Sequence, residues 1–173
     1  MDTWKTVNAI RVVREFDDHP IPDRDVHRIV NAGRRAGSSK NLQRWGFIVV
    51  RDKPRLQRLA TAGPWAMHVG GAGVAIALVT PDPSAQDSPL SVTWDLGRAA
   101  QNMVLVAWEL GIGSCPATVY DHELVRQELA IPADQHCEYL LSFGYPADTA
   151  LFDAPNRAGG RRSVDEVLHD ESW

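Results

Sequence analysis

A chain of 173 residues, 44% apolar and 23% charged, can fill one core but is too short for two full domains. A mean hydropathy of -0.25, with no apolar run near the ~20 residues of a membrane span, excludes disordered and membrane-spanning classes. Eighteen Lys and Arg against 22 Asp and Glu give a net charge of -4, so the broad basic field needed by nucleic acid or an anionic membrane is missing.

Asp2 or Thr3 is predicted to cap a first helix running to about Val13, and His19-Pro20-Ile21-Pro22 breaks the chain. Asp23 then caps a second helix with Val26, Ile29 and Val30 at helical spacing, closed by Gly37. After the polar loop Ser38-Ser39-Lys40-Asn41, Phe47–Val50 reads as a buried strand, and Pro54 suits the first turn of a short helix. Val74–Thr80 is a second strand, and the three prolines of Pro81–Pro89 predict a mobile surface loop. Trp94–Leu110 is the longest predicted helix. Its apolar arc is too wide for a one-sided surface helix, which places it in the core or at a subunit interface. Ser114–Tyr120 reads as extended, Asp121 as the cap of another helix, and Tyr139–Gly144 as the last strand. Beyond Pro146 periodicity fades, apart from a short element at Ser163–Val167 and a tail ending in Trp173 that is expected to dock.

Several chemistries fail on spacing. His122-Glu123-Leu124-Val125-Arg126 opens like a zinc-protease helix, but Arg126 stands where the second histidine belongs. Cys115 and Cys137 are too few for a disulfide framework or a zinc site, so no metal is expected. Buried packing is the expected role of Cys115. Ser114 lacks the flanking glycines of a nucleophile elbow. No phosphate loop occurs, and Gly70-Gly71-Ala72-Gly73 precedes a strand where a dinucleotide fingerprint would follow one. The opening Met1-Asp2-Thr3-Trp4-Lys5 lacks the pattern of an export signal, so the expected location is cytoplasmic.

Three segments share cations and small polar groups suited to an anionic, planar ligand: Arg11–Phe16, Ser38–Trp45 and Arg161-Arg162. In this order they resemble the FMN-dependent nitroreductase family. The resemblance rests on Arg11, Arg14 and Phe16, then Ala36, Ser38, Ser39, Asn41, Gln43 and Trp45. It continues through a long central helix ending near Gly111 and Gly113, the segment Ser114–Asp121, and Gly144-Tyr145-Pro146. Ile10, Val12, Gly37 and Arg44 depart from the family's pattern.

The resemblance implies an α+β fold, a mixed sheet flanked by helices, in an intertwined homodimer. Residues 1–146 would form the FMN-binding domain, and 147–173 an arm of that domain embracing the partner subunit. Arg11 and Arg161 or Arg162 would hold the FMN phosphate, with Val12 and Val13 beside it. Arg14 would place a fixed cation at the flavin N1–O2 edge. Ser38, Ser39, Asn41 and Gln43 would add polar contacts, in this family commonly from the second subunit. Thr118 and Val119 would approach the flavin N5 side. The implied activity passes hydride from NADH or NADPH through FMN to a nitroaromatic, quinone or similar small-molecule acceptor in a ping-pong cycle, with no catalytic side-chain acid or base required. The alternatives are a specialised flavoprotein of this fold (dehalogenase, dehydrogenase or flavin-cleaving) and a redox-silent dimeric binding protein.

Overall fold

The computed structural model describes residues 2–85, 88–155 and 160–173; Gln86 and Asp87 of the predicted mobile loop lie outside them. The apolar run at 74–81 becomes strand β2 (Val74–Pro81), an inner strand whose two faces are both covered. Its side chains divide by the two-residue period of a strand. Ala75, Ala77 and Val79 enter one core, while Val74, Ile76 and Leu78 enter the other. Together with β1 (Gly46–Val50), β3 (Gly113–Thr118) and β4 (Gln135–Gly144), β2 forms a sheet of order β1-β2-β4-β3. Its three ladders are antiparallel, and the parallel component is a single bridge between Val12 and Ser114.

Helices cover both faces. On one side α3 (Lys53–Leu59) and α5 (His122–Leu129) bury Leu56, Leu59, Val125 and Leu129 against the small residues of β2. On the other, α2 (Asp23–Arg34) and α4 (Ser91–Glu109) bury Ile29, Leu96, Met103 and Ala107 against the large ones. Gly33 of α2 is a contact point, because a Cβ there would collide with the Met103 side chain. The outward face of α4 is open. Trp94 is 71% exposed, and a Cβ at Gly97 would meet nothing within 4 Å.

The structure revises several predicted boundaries. Helix α1 (Thr3–Ala9) is capped by Asp2, which accepts the Lys5 amide at 2.9 Å, and it stops at Ile10 rather than near Val13. From Arg11 to Asp17 the chain is a strap laid across two strand ends. Val13 N donates to Ser114 O at 2.9 Å, Asp17 N to Tyr145 O at 2.9 Å, and Ala147 N to Glu15 O at 3.1 Å. These tertiary bonds replace the intrahelical ones. Gly113 and Gly144 permit the approach, since a Cβ at either would lie 2.6 Å from Val13 or Phe16 side-chain carbons.

Pro22, not Asp23, holds the α2 N-cap position, and the Asp23 carboxylate instead meets Arg51 at 2.7 Å. The helix ends at Arg34 with Arg35 as its cap, short of Gly37. Helix α4 begins at Ser91, earlier than Trp94. In the tail Phe152 packs on Trp108 with ring centroids 4.6 Å apart. The predicted Ser163–Val167 element is one turn in which Ser163 and Glu166 exchange hydrogen bonds at 2.7 and 3.3 Å. Trp173 does not dock on its own chain; it is fully exposed and stacks with His169 at 4.4 Å.

Candidate active site

The strap carries two of the predicted cations. Arg11 is held, with Nη2 donating to Ala154 O at 2.6 Å and Nε to Ala9 O at 3.3 Å, which ties the amino-terminal segment to the carboxy-terminal arm. Arg14 is exposed beside Cys115 and His68. Burial pushes the Cys115 thiol up, and the Arg14 charge and hydrogen bond act against that rise. Val12 and Val13 flank Arg14's segment: Val12 is half-exposed on the Ser114 bridge, and Val13 is buried against Gly113.

Several other arginines face carboxylates, whereas Arg34, Arg35, Arg44 and Arg98 do not among the described residues. Arg28, Arg51, Arg58 and Arg126 face Glu109, Asp23, Glu128 and Glu123 at 3.0, 2.7, 2.6 and 4.0 Å. Arg11, Arg14, Arg161 and Arg162 have no acidic partner among the described residues. An arginine without an internal anion is electrostatically available to an external one.

His68, absent from the sequence reading, completes this corner. It is 8% exposed, and its Nδ1 lies 2.8 Å from Ser142 Oγ. Ser142 in turn donates to Cys115 O at 3.1 Å. The single hydroxyl proton goes to that carbonyl, so Ser142 accepts from His68 Nδ1–H and Nε2 carries the lone pair. That Nε2 is buried with no partner. Burial, then the Arg14 charge, hold the ring's pKa below its ordinary value and keep it neutral. A buried acceptor nitrogen without a partner calls for a hydrogen-bond donor, and the unpaired exposed cation beside it suits an anionic group. No local pattern flags His68, because its neighbours come from Ser142 and Arg14.

The second predicted segment sits elsewhere in the chain. Lys40, Asn41 and Gln43 adopt left-handed φ of 51, 55 and 49°. Such strain persists only where surroundings over-determine it. Ser38 Oγ accepts the Gln43 amide at 3.0 Å, and the Ser39 amide donates to the buried Asp95 carboxylate of α4 at 2.9 Å. Asp95 is a second residue that sequence reasoning missed. The Ser38–Gln43 loop therefore docks at the start of α4, whereas the strap docks at Ser114, just past its end. From Asp95 to Glu109 the helix runs roughly 20 Å along its axis. Within one chain the two predicted halves are held at opposite ends of α4.

The remaining predicted residues divide. Val119 N already donates to Glu138 O at 2.9 Å, while Thr118, one residue back, faces the open edge of β3 with its carbonyl against Gly63. Arg161 and Arg162 are exposed, with Arg161 bonded only to Gly160 O at 3.3 Å among the described residues. Two surface clefts of about 460 and 510 Å³ lie beside Pro146 and between α2 and β1, and none of the predicted residues lines them.

Comparison with known proteins agrees with the fold and motif order. The sequence profile of the nitroreductase family matches residues 11–68 and 63–145. The chain belongs to the nitroreductase family. An Archaeoglobus fulgidus protein provisionally named NADH dehydrogenase/NAD(P)H nitroreductase is 33% identical, over 98% of this chain and 97% of its own length. The NADPH-flavin oxidoreductase of Vibrio harveyi is 32% identical over 65% of this chain and 51% of its own. Among solved structures, an FMN-dependent nitroreductase from Clostridium difficile R20291 superposes with a TM-score of 0.82 at 24% identity, covering 99% of this chain and 100% of that one. No helix among the described residues is long and apolar enough to cross a membrane.

Proposed function

We propose that this chain reduces a nitroaromatic, quinone or similar small acceptor at the expense of NADH or NADPH, the two substrates occupying one site in turn. It is an NAD(P)H-dependent oxidoreductase of the nitroreductase family with FMN as its cofactor. FMN, when bound, supplies two-electron hydride chemistry. The observation that carries the site assignment is the exposed, acid-free Arg14 beside the partnerless His68 Nε2.

Arg14 fixes positive charge where negative charge accumulates on a reduced ring, and His68 stays neutral there as an acceptor. Arg11, aided by Arg161 or Arg162, binds phosphate through charge-assisted hydrogen bonds. Val12 and Val13 line the strap beside them, and Thr118 presents its backbone from the β3 edge. Ser38, Ser39, Asn41 and Gln43 belong to the site through a second copy of the chain. Two antiparallel copies meeting along the open face of α4 would bring the start of one helix to the end of the other, uniting the Ser38–Gln43 loop with the strap. Residues 147–173 would form the arm reaching that partner, in a dimer housed in the cytoplasm.

The test is the absorbance spectrum of the purified protein, followed by bleaching with each nicotinamide. A yellow protein of twice the 19.1 kDa chain mass, bleached by NADH or NADPH, supports the reading. A colourless monomer that ignores added FMN overturns it. A bound flavin that neither nicotinamide bleaches would transfer the assignment to a specialised flavoprotein of this fold.

A further inference from the structure

His122 fails as the first ligand of a local zinc motif because Arg126 follows it one turn later. The fold supplies other companions for it. His136 and Glu138 flank Cys137 on β4 at the bulge where its register against β2 shifts, and α5 starts directly against them. His136 Nε2 lies 2.8 Å from Glu138 Oε2, and His122 Nε2 lies 4.0 Å from the same oxygen. One donor atom from each of the three residues falls within 4.8 Å of the others. The imidazoles overlap, with centroids 4.5 Å apart.

We infer that His122, His136 and Glu138 bind one divalent ion of the zinc class, at a position separate from the FMN-binding residues. Two imidazole nitrogens and one carboxylate oxygen suit Zn²⁺, Co²⁺ or Ni²⁺ and disfavour Ca²⁺ and Mg²⁺, which seek all-oxygen shells. Tetrahedral zinc needs ligand atoms about 3.3 Å apart, given metal–ligand bonds of about 2.0–2.1 Å. The observed separations bracket that value, so side-chain rotations suffice.

Two independent features support a built site. His122 Nδ1 lies 3.3 Å from Cys137 O, a carbonyl that can only accept, so Nδ1 carries the proton and Nε2 is left as the ligand. A ring N–H fixed on a backbone carbonyl is the usual outer support of a metal-bound histidine. The recess lined by His122, His136, Cys137 and Gln135 measures about 10 Å³, room for one ion or water and no organic ligand. Asp82 adds negative charge alongside. Arg126 shares the recess but lies 4.0 Å from Glu123. Cys137 is no ligand, since its side chain is buried in the core beside β2 with Sγ on Tyr139 O at 3.4 Å. The bound ion would join the first residue of α5 to β4 behind the Thr118–Asp121 turn, where Glu138 O also receives the Val119 amide.

The test uses full-length, tag-free protein stripped of metal. Calorimetric titration should show one Zn²⁺ per chain and a raised melting temperature, and Co²⁺ should give the visible bands of a four-coordinate site. His122→Asn and His136→Asn should each weaken Zn²⁺ binding at least tenfold and remove the thermal shift, and Glu138→Gln should weaken it less. Far-UV circular dichroism of the metal-free variants checks that they fold; if they do not, the wild-type Co²⁺ spectrum decides. Absence of saturable Zn²⁺ binding, a Co²⁺ spectrum of octahedral aqua type, or unchanged affinity in His122→Asn/His136→Asn overturns the inference. The flavin content of the same samples is read separately, so this site can fail while the FMN assignment stands.

Discussion

Two populations of arginine occupy two regions of this molecule. Around α2, α3 and α5, each of Arg28, Arg51, Arg58 and Arg126 faces a carboxylate from its own chain. Along the strap and in the tail, Arg11 and Arg14, and Arg161 and Arg162, face none among the described residues. The first region uses the guanidinium to bridge surface elements, where exposed pairs stabilise little. The second keeps its cations uncompensated, an arrangement that favours a phosphorylated or otherwise anionic guest. Composition alone, with arginine far outnumbering lysine, does not separate these uses. Nor do missing acids alone, since Arg34, Arg35, Arg44 and Arg98 also lack one among the described residues. It is the strap's place on the strand ends that sets Arg11 and Arg14 apart.

Four substitutions probe that contrast. Gly113→Val should have the largest effect, because the new side chain enters Val13 and lifts the strap. Overpacking of this kind costs about 1–3 kcal/mol. A lowered melting temperature together with lost FMN retention is expected, and retention of both would show that the strap is not held by this contact. Arg14→Ala should weaken FMN binding by roughly 10- to 150-fold, the equivalent of about 1.5–3 kcal/mol for a hydrogen bond to a charged group. Melting of its flavin-free form should stay unchanged, and flavin titration beside thermal unfolding separates the two effects.

His68→Asn tests the corner between the regions by its pH response. The folded ring has a lowered pKa, so below the ordinary value of 6.5 the unfolded chain gains a proton that the folded one refuses. Wild-type stability should therefore be full above that pH and decline as pH falls beneath it, and the variant should decline less. Urea titrations at pH 7.5 and 5.5 measure this, and equal slopes would remove the buried neutral imidazole from the account. Arg58→Ala should do least, leaving FMN affinity unchanged and shifting the melting temperature slightly. An effect on flavin comparable to that of Arg14→Ala would dissolve the distinction between the two populations.

Strands and most helices were legible in the sequence where one local signal decided them. The apolar run of β2, Pro54 after the Asp52 cap of α3, and Asp121 capping α5 at 2.9 Å from the Leu124 amide are such places. Helix α1 was overestimated because nothing local announces that Val13 and Asp17 donate to Ser114 and Tyr145. The proposed site residues were read from motif order, whereas Asp95 under Ser39 and His68 on Ser142 depend on contacts between distant segments. The His122–His136–Glu138 cluster was invisible for the same reason. A helix start and a strand bulge become neighbours only after the sheet forms.

The strap has a further consequence during synthesis. Its partners Ser114, Tyr145 and Ala147 leave the ribosome long after Arg11 and Arg14 do, so the earliest-made cations wait for nearly the whole chain. A truncated or stalled product carries these arginines without the strand ends that orient them. If the proposed strap site holds the cofactor, its capture requires translation to run past β4.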